Sequence, residues 1–560
     1  MLYQYYRDKV NTVLNVRQKR IAELKTAQDV KQYQQEVRNK LARSFGKLPE
    51  RTPLNPHITG TINHGDLLID KIIFESRPGF YISALFYRKQ NTSQPLPAIL
   101  FLCGHSATGK FAPAYQEAPQ YFAHRGFAVL SVDPYGQGER REFTGDKAIG
   151  ATSEHNLRGK QLLLTGEFFG TWRLWDAIRA LDYLLTRQEV DSRRVGVTGT
   201  SGGGTMTSFL NAFDSRLTMA APSCYITSLR YNIENELSAD AEQNPPLFLA
   251  QALDLADFII ASAPRQVIIL AQDNDFFDPR GAKEAYTELK TIYSILGASD
   301  NVHLHMGQGD HSYAPNHRVA AAQFFGYAGN DPEPELTVLP DEELYCAPSG
   351  SVFNIPGSRK IIDFLRDMPI KRPVISVKSI KAPDYRVLRT KVLKNDPYLF
   401  VSRFRLGMSV LKAVGTQRFF SPPNVTKVIL SLNDFDGVVP DGEMLFLLDI
   451  RGHGECAENL QGINSENLYA QYGNMLGEPY LAEKVKDVAR ALLTLRQWGA
   501  KQIVLKASGE MAIIAGYAAG FADVLDLSDQ PPSYKEMGQS IESPYSEWLF
   551  PHINPQPGTI

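Results

Sequence analysis

The chain has 560 residues, 43% of them hydrophobic and 21% charged, and carries a formal net charge of −2. That length exceeds what one hydrophobic core serves, so two or three domains are expected, and the near-neutral balance gives no electrostatic case for nucleic acid or an anionic membrane. The four cysteines, Cys103, Cys224, Cys346 and Cys456, lie far apart without C-x-x-C spacing and suggest neither a disulfide framework nor a zinc site.

Met1 to Lys9 is polar and aromatic, with no apolar signal-peptide core, and no apolar run reaches the roughly 18 residues that span a bilayer. A cytoplasmic location and an exported protein whose signal is gone both fit. Residues 1 to about 45 are charged, Gln-rich and free of Gly and Pro before Gly46, which predicts one or two surface helices. From Asp70 to Lys89 two apolar runs are broken by Arg77-Pro78-Gly79, a hairpin pattern. Strand-like runs follow at Ala98–Cys103, Phe127–Val132, Arg194–Thr198, Thr218–Pro222, Gln266–Ala271 and Asn301–Met306. Helical patterns separate most of them, notably Trp172–Thr186 and Gly281–Leu296. Strand alternating with helix predicts an α/β fold, a mostly parallel sheet covered by helices on both faces. Cys103 and Cys224, in strand-like context, read as small buried hydrophobes.

Gly199-Thr200-Ser201-Gly202-Gly203 is a G-x-S-x-G pentapeptide between the apolar run Val195–Val197 and a helix-compatible segment, Thr205 to Phe213. Strand, glycine-framed serine and helix in that order make a nucleophile elbow of the α/β-hydrolase type. A serine needs a base, and the base an orienting acid, in the chain order Ser, acid, His. His311 follows the strand-like run Val302–Met306 and is the expected base. Three aspartates crowd the loop after Val267–Ala271. Asp275 is the first choice, with Asp278 and Asp273 behind it and Glu242 as an outside candidate. Asp278-Pro279 also suits a helix N-cap. The Gly202 N–H and an N–H from the Gly104-His105-Ser106 turn are the expected oxyanion donors.

The same turn contains Gly104-x-x-x-x-Gly109-Lys110, a P-loop-like spacing, but Phe111 stands where a metal-binding hydroxyl belongs. His303-x-His305 reads as a solvent-facing strand pair rather than a metal site. No cofactor and no metal is called for.

Cys103-Gly104-His105-Ser106-Ala107-x-Gly109-Lys110, Ser131-Val132-Asp133-Pro134-x-Gly136-Gln137-Gly138-Glu139-Arg140 and Pro222-Ser223-Cys224-Tyr225 resemble the bacterial acetyl xylan esterase-like α/β-hydrolases. Asp240-Ala241-Glu242-Gln243-Asn244 and Asp275-Phe276-Phe277 resemble them as well, and Asp278 departs from the proline expected there. The group includes enzymes described as pectin methylesterases. The resemblance covers about 40 to 330 strongly and implies a periplasmic or secreted esterase of decorated plant polysaccharides, with Ser201, His311 and the Asp275 loop as triad. Its partner is a polysaccharide or oligosaccharide ester. If that ester is a uronate, a cation is wanted at the site, and Lys110, Arg140 and Arg173 are the candidates, each of which reads equally as a surface charge or a structural ion pair.

Asn330–Glu335 through Pro340–Glu343, rich in Pro and acid, reads as a linker, placing a hydrolase domain at 1–330 and a second domain at 346–560. That second domain looks like a worn copy. Asp133–Glu139 is echoed by Asp449–Glu455, and Asp176–Leu181 by Asp487–Leu492. The elbow strand is echoed by Ile503–Gly509, with Ser508 taken as the counterpart of Ser201 and Lys506 and Glu510 at the positions of Gly199 and Gly203. Too few residues follow Ser508 for another acid and histidine, so the copy is expected to be degenerate and non-catalytic. The competing functions are a prolyl-oligopeptidase-like peptidase, which lacks its propeller repeats here, and a non-catalytic carbohydrate-binding protein.

Overall fold

Apolar runs without polar alternation bury both faces of a strand, and here they form the middle of a parallel sheet. The computed structural model describes residues 1–377, 380–393, 396–433, 443–458 and 465–553. They fall into two units. The larger comprises Val10–Leu162 and Glu167–Pro369, and the smaller comprises Met1–Lys9, Leu163–Gly166 and the chain from Ile370. Among the described residues no helix is long and apolar enough to cross a membrane.

The larger unit is built on nine strands: β1 (His57–His64), β2 (Leu67–Arg77), β3 (Phe80–Lys89), β4 (Leu96–Leu102), β5 (Ala128–Val132), β6 (Val190–Thr200), β7 (Met219–Ser223), β8 (Gln266–Asn274) and β9 (Val302–Asp310). Their order is β1-β2-β3-β5-β4-β6-β7-β8-β9. The hairpin β2–β3 and its neighbours pair antiparallel, and from β5 onward every pairing is parallel. All five residues of β5 are buried, whereas the edge strand β1 is mostly exposed. The expected strands are present within a few residues. β1 is an addition to the expected set: an edge strand with one wet face carries little apolar signal.

The N-terminal residues form helices Leu2–Ala22 and Ala27–Phe45, the second opened by a Thr26–Asp29 capping box. They are not merely superficial: Val30, Tyr33, Val37, Leu41 and Phe45 are buried, and the buried Arg17 guanidinium meets Asp257 at 2.6 Å.

The expected linker is packed chain. Gln116 brackets Leu339 through both its amide groups (2.9 and 3.0 Å), and Gln120 does the same for Thr337. Leu344 is buried, and the Cys346 and Ala347 N–H groups donate to Glu139. Proline and acid leave only the short helix Asp341–Leu344 here without preventing packing, and the division falls at Pro369–Ile370 instead of 345/346.

The smaller unit carries β10 (Tyr385–Val387), β11 (Lys391–Leu393), β12 (Asp396–Leu406), β13 (Ser409–Gly415), β14 (Lys427–Ser431), β15 (Met444–Asp449), β16 (Gln502–Ser508) and β17 (Val524–Ser528). The run β12-β13-β15-β14-β16-β17 repeats β2-β3-β5-β4-β6-β7, and no described strand corresponds to β8 or β9. The echoed loops share a conformation as well as a sequence. Gly136 and Gly452 have φ of 78° and 77°, and Gly138 and Gly454 have 54° and 55°. In both loops a Cβ on the second glycine would strike the strand-end aspartate, Asp133 or Asp449. An arginine then meets the helix aspartate in each unit, Arg140 with Asp176 and Arg451 with Asp487, both at 2.8 Å.

One register differs from the expectation. The residue with the elbow's left-handed backbone is Ser201 in the first sheet (φ 57°, ψ −121°) and Gly509 in the second (φ 59°, ψ −140°). The neighbouring strand agrees: Ser201 N–H donates to Ser223, and Gly509 N–H to Ser528. Gly509, not Ser508, is therefore the counterpart of Ser201, and Ala507 and Met511 take the places of Gly199 and Gly203.

Candidate active site

Strand β6 delivers Ser201 between β4 and β7, and the turn is tight enough to exclude side chains around it. A Cβ on Gly199 would lie 2.1 Å from the Leu102 carbonyl oxygen, and one on Gly203 would lie 1.9 Å from it. Glycine is obligatory where backbone approaches backbone this closely. The helix Gly202–Phe213 starts immediately, and the Ser201 carbonyl accepts from Thr205 N–H at 2.8 Å. Gly202 occupies the first helical position, whose N–H has no intrahelical acceptor and lies at the positive end of the helix dipole.

His311 follows β9 and Asp275 follows β8, so two adjacent parallel strands bring them together. His311 Nδ1 lies 2.8 Å from Asp275 Oδ1, which also accepts the Phe277 N–H at 2.9 Å. The Asp275 carboxylate is 1% exposed. The opposite ring nitrogen, His311 Nε2, is buried and has no hydrogen-bond partner among the described residues. The Phe276 ring leans on the imidazole with centroids 4.0 Å apart. Ser201, His311, His105, Phe276, Tyr115 and Leu237 line one cavity of about 640 Å³.

The other acids are engaged elsewhere. Asp278 caps the helix Pro279–Ile295 by accepting Arg280 N–H, and pairs with the Arg280 guanidinium. Asp273 accepts Gly309 N–H at 2.9 Å, tying the end of β8 to the end of β9. Glu242 is fully buried and faces His105, whose Nε2 stands 2.6 Å from it and 2.9 Å from Asp240. Arg173 reaches the same Glu242 oxygen at 3.0 Å.

The Gly104–Ser106 turn is pinned by Gln137, whose amide donates to the Gly104 carbonyl at 2.7 Å. A Cβ at Gly104 would strike the Thr200 carbonyl and the Tyr115 hydroxyl, both at 2.4 Å, so the turn presses directly on the elbow. The Ser106 hydroxyl closes its own turn with Thr108.

None of the three expected substrate cations lies on the cavity wall. Lys110 is fully buried between Asp133 (2.5 Å) and Glu139 (2.7 Å). Burial opposes its charge, yet those two carboxylates hold its pKa above the ordinary lysine value. Arg140 is spent on Asp176 and Arg173 on Glu242. Trp172 and Trp175 are buried in the core. All four cysteines are free and buried, and burial next to Asp275 pushes the Cys224 thiol up to about 12.

His155, behind His105, gave no sequence signal. Its Nε2 lies 2.7 Å from the Tyr135 carbonyl, and burial keeps the ring below its ordinary pKa despite Glu242. For His105 burial would also drive the proton off, but the Glu242 and Asp240 carboxylates outweigh it and raise the pKa to about 10. Glu242 is held well below the carboxylate range; burial disfavours its charge, and His155, His105 and Arg173 reverse that.

A mostly parallel sheet with a serine on a left-handed turn after its central strand, and an Asp–His pair after the last two, defines the α/β-hydrolase fold. Residues 66–241 match the family model described as acetyl xylan esterase (AXE1), so the likeness to acetyl xylan esterases holds over that stretch. The curated Bacillus subtilis (strain 168) protein named "Putative hydrolase YtaP" is 25% identical over 279 residues, 47% of this chain and 89% of that protein. Among solved structures, Methylesterase BT1017 superposes with a TM-score of 0.50 at 20% identity, over 62% of this chain and 76% of that one. A glucuronoyl esterase from Solibacter usitatus covers 52% of this chain and 91% of its own at 19% identity, with a TM-score of 0.42. The chain is thus a hydrolase-fold protein similar to carbohydrate esterases.

Proposed function

We propose that the larger unit is a serine carboxylic-ester hydrolase that works through an acyl-enzyme. Ser201 Oγ attacks the ester carbonyl, His311 Nε2 takes the serine proton and returns it to the leaving alcohol, and water then repeats the cycle. Asp275 holds the imidazole in the tautomer that leaves Nε2 free to accept. The Gly202 N–H and one N–H of the His105–Ser106 turn bind the oxyanion. One observation carries the reading: a buried, unpartnered His311 Nε2, braced from behind by Asp275, opens on the same cavity as a serine held at positive φ.

The substrate class follows from the resemblance and from charge. A plant cell-wall polysaccharide ester fits the family match, and among the described residues the cavity wall carries no lysine or arginine to greet a chain of uronates. An acetyl ester on a neutral sugar, as in xylan, suits it better than the methyl ester of pectin. The smaller unit, with glycine at the elbow position, is assigned no catalysis. Release of acetate from acetylated xylan against methanol from methylated pectin tests the substrate, and Ser201→Ala on an aryl acetate tests the mechanism. Near-normal turnover by that variant would falsify the serine mechanism.

A further inference from the structure

The catalytic reading leaves one buried polar cluster unused. His105, His155, Asp240 and Glu242 bring their polar atoms within 4.8 Å of one another beside the cavity. They come from the turn after β4, the helix Ala151–Leu163 and the short turn Ala241–Gln243, and Arg173 joins them from the helix Phe169–Leu184. Resting on the esterase reading above, we propose that the His105 side chain is a positioning group of that site: a charged ring, clamped by Glu242 and Asp240 against Gly202, that locks both oxyanion-binding amides to each other and adds positive potential beside them.

The geometry gives the reason. A Cβ built on Gly202 would meet His105 Nε2 at 2.6 Å and Cε1 at 2.8 Å, so the ring lies flush on the residue whose N–H faces the oxyanion. The backbone of His105 itself belongs to the opposing oxyanion turn. One side chain therefore ties the two halves of the hole together, and it is held by two carboxylates, neither of which can donate. Nε2 must carry its hydrogen.

The surrounding charges fix the protonation state. The groups facing the ring are Glu242, Asp240, His155 (centroids 5.4 Å apart), which burial holds below its ordinary pKa, and, across Glu242, Arg173. Two carboxylates against one guanidinium leave room for one more cation, and the imidazolium supplies it. Two histidines and two carboxylates would also suit a divalent metal in composition. The Arg173 guanidinium at 3.0 Å from Glu242, however, already supplies a cation to that carboxylate and would repel a divalent ion bound beside it. A proton balances the cluster without that repulsion.

The test is the pH profile of aryl acetate hydrolysis by the full-length protein, with Ser201→Ala as reference. A ring whose folded pKa is raised stays charged until the pH passes that value, so wild type should hold its kcat up to about pH 9 and lose it only above. His105→Gln should lower kcat about tenfold to a hundredfold with KM within about threefold, because only the developing oxyanion feels the loss. Glu242→Gln should bring the alkaline decline down toward about pH 7–8, and Asp240→Asn, at a half-buried position, should move it the same way by less. Circular dichroism and melting midpoints report folding. If Glu242→Gln fails to fold, the Asp240→Asn profile decides.

A His105→Gln variant with kcat within twofold of wild type, or an Asp240→Asn profile that superimposes on it, overturns the proposal. So does inactivation by EDTA with recovery on adding zinc, which would make the cluster a metal site. An active Ser201→Ala variant sinks the serine mechanism itself, whereas a dead Ser201→Ala beside an unaffected His105→Gln removes only this inference.

Discussion

Asp275 and His311 meet across 2.8 Å at the ends of adjacent parallel strands, and the same Asp275 oxygen is fixed by the Phe277 N–H. A carboxylate anchored by its own backbone cannot swing away, so the imidazole it faces is held in one orientation. Asp275→Asn should therefore cost about a thousandfold or more in kcat while leaving the fold intact, since an amide can stabilise the wrong ring tautomer. Asp278→Ala should do the reverse. It removes a helix cap and a pairing with Arg280, lowering stability by about 1 kcal/mol with little change in turnover. Aryl acetate kinetics and urea unfolding on the two variants separate the roles, and a swap of the two phenotypes would move the acid to Asp278.

Lys110 illustrates how a cation beside the oxyanion turn can have nothing to do with substrate. It is fully buried against Asp133 and Glu139, and Glu139 in turn accepts the Cys346 and Ala347 N–H groups. Lys110→Met should strand two buried carboxylates and destabilise the larger unit by about 3–5 kcal/mol. Its folded fraction should show an ordinary KM. A raised KM for a uronate ester with unchanged unfolding midpoint would return Lys110 to the substrate.

Sequence and structure agree best where local chemistry dictates the chain. Val195–Val197 and Val267–Ala271 carry the apolar signal of buried strands, so the order Ser201, aspartate loop, His311 is legible in the chain. Which of Asp273, Asp275 and Asp278 faces His311 is not, because that depends on how β8 pairs with β9. What stayed hidden depends on distant chain. Glu242 lies in a turn without periodicity, and nothing local says that it pairs with His105 instead of His311. His155 sits within the helix Ala151–Leu163, where one histidine carries no pattern. The slip at Ser508 has a definite cause. Matching serine to serine ignores strand parity, whereas buried Ile503, Leu505 and Ala507 point to Gly509 as the next residue on that face, as Val195 and Val197 point to Ser201.

The smaller unit's elbow yields its own test. With Gly509 at the nucleophile position and no described strand matching β8 or β9, neither Ser508→Ala nor Gly509→Ser should alter turnover. A Ser201→Ala, Gly509→Ser double variant should be as inactive as Ser201→Ala alone. Loss of more than about tenfold on Ser508→Ala, equal to about 1.4 kcal/mol of barrier, would contradict a silent copy.

Phe276 is the large hydrophobic that the site leaves half in solvent, 50% exposed, with its ring 4.0 Å from the His311 ring and 4.9 Å from that of Phe277. A core side chain would not be spent this way, and an aromatic face on a cavity rim suits the apolar face of a sugar. Phe276→Ala should leave stability within about 0.5 kcal/mol, because little buried area is lost. Its KM for an acetylated xylo-oligosaccharide should rise about fivefold, the equivalent of about 1 kcal/mol of stacking. Turnover of a small aryl acetate, which has no sugar to stack, should change by less than about threefold. If kcat on the aryl acetate falls as far as the oligosaccharide KM rises, the ring serves to brace His311, and the stacking role is wrong.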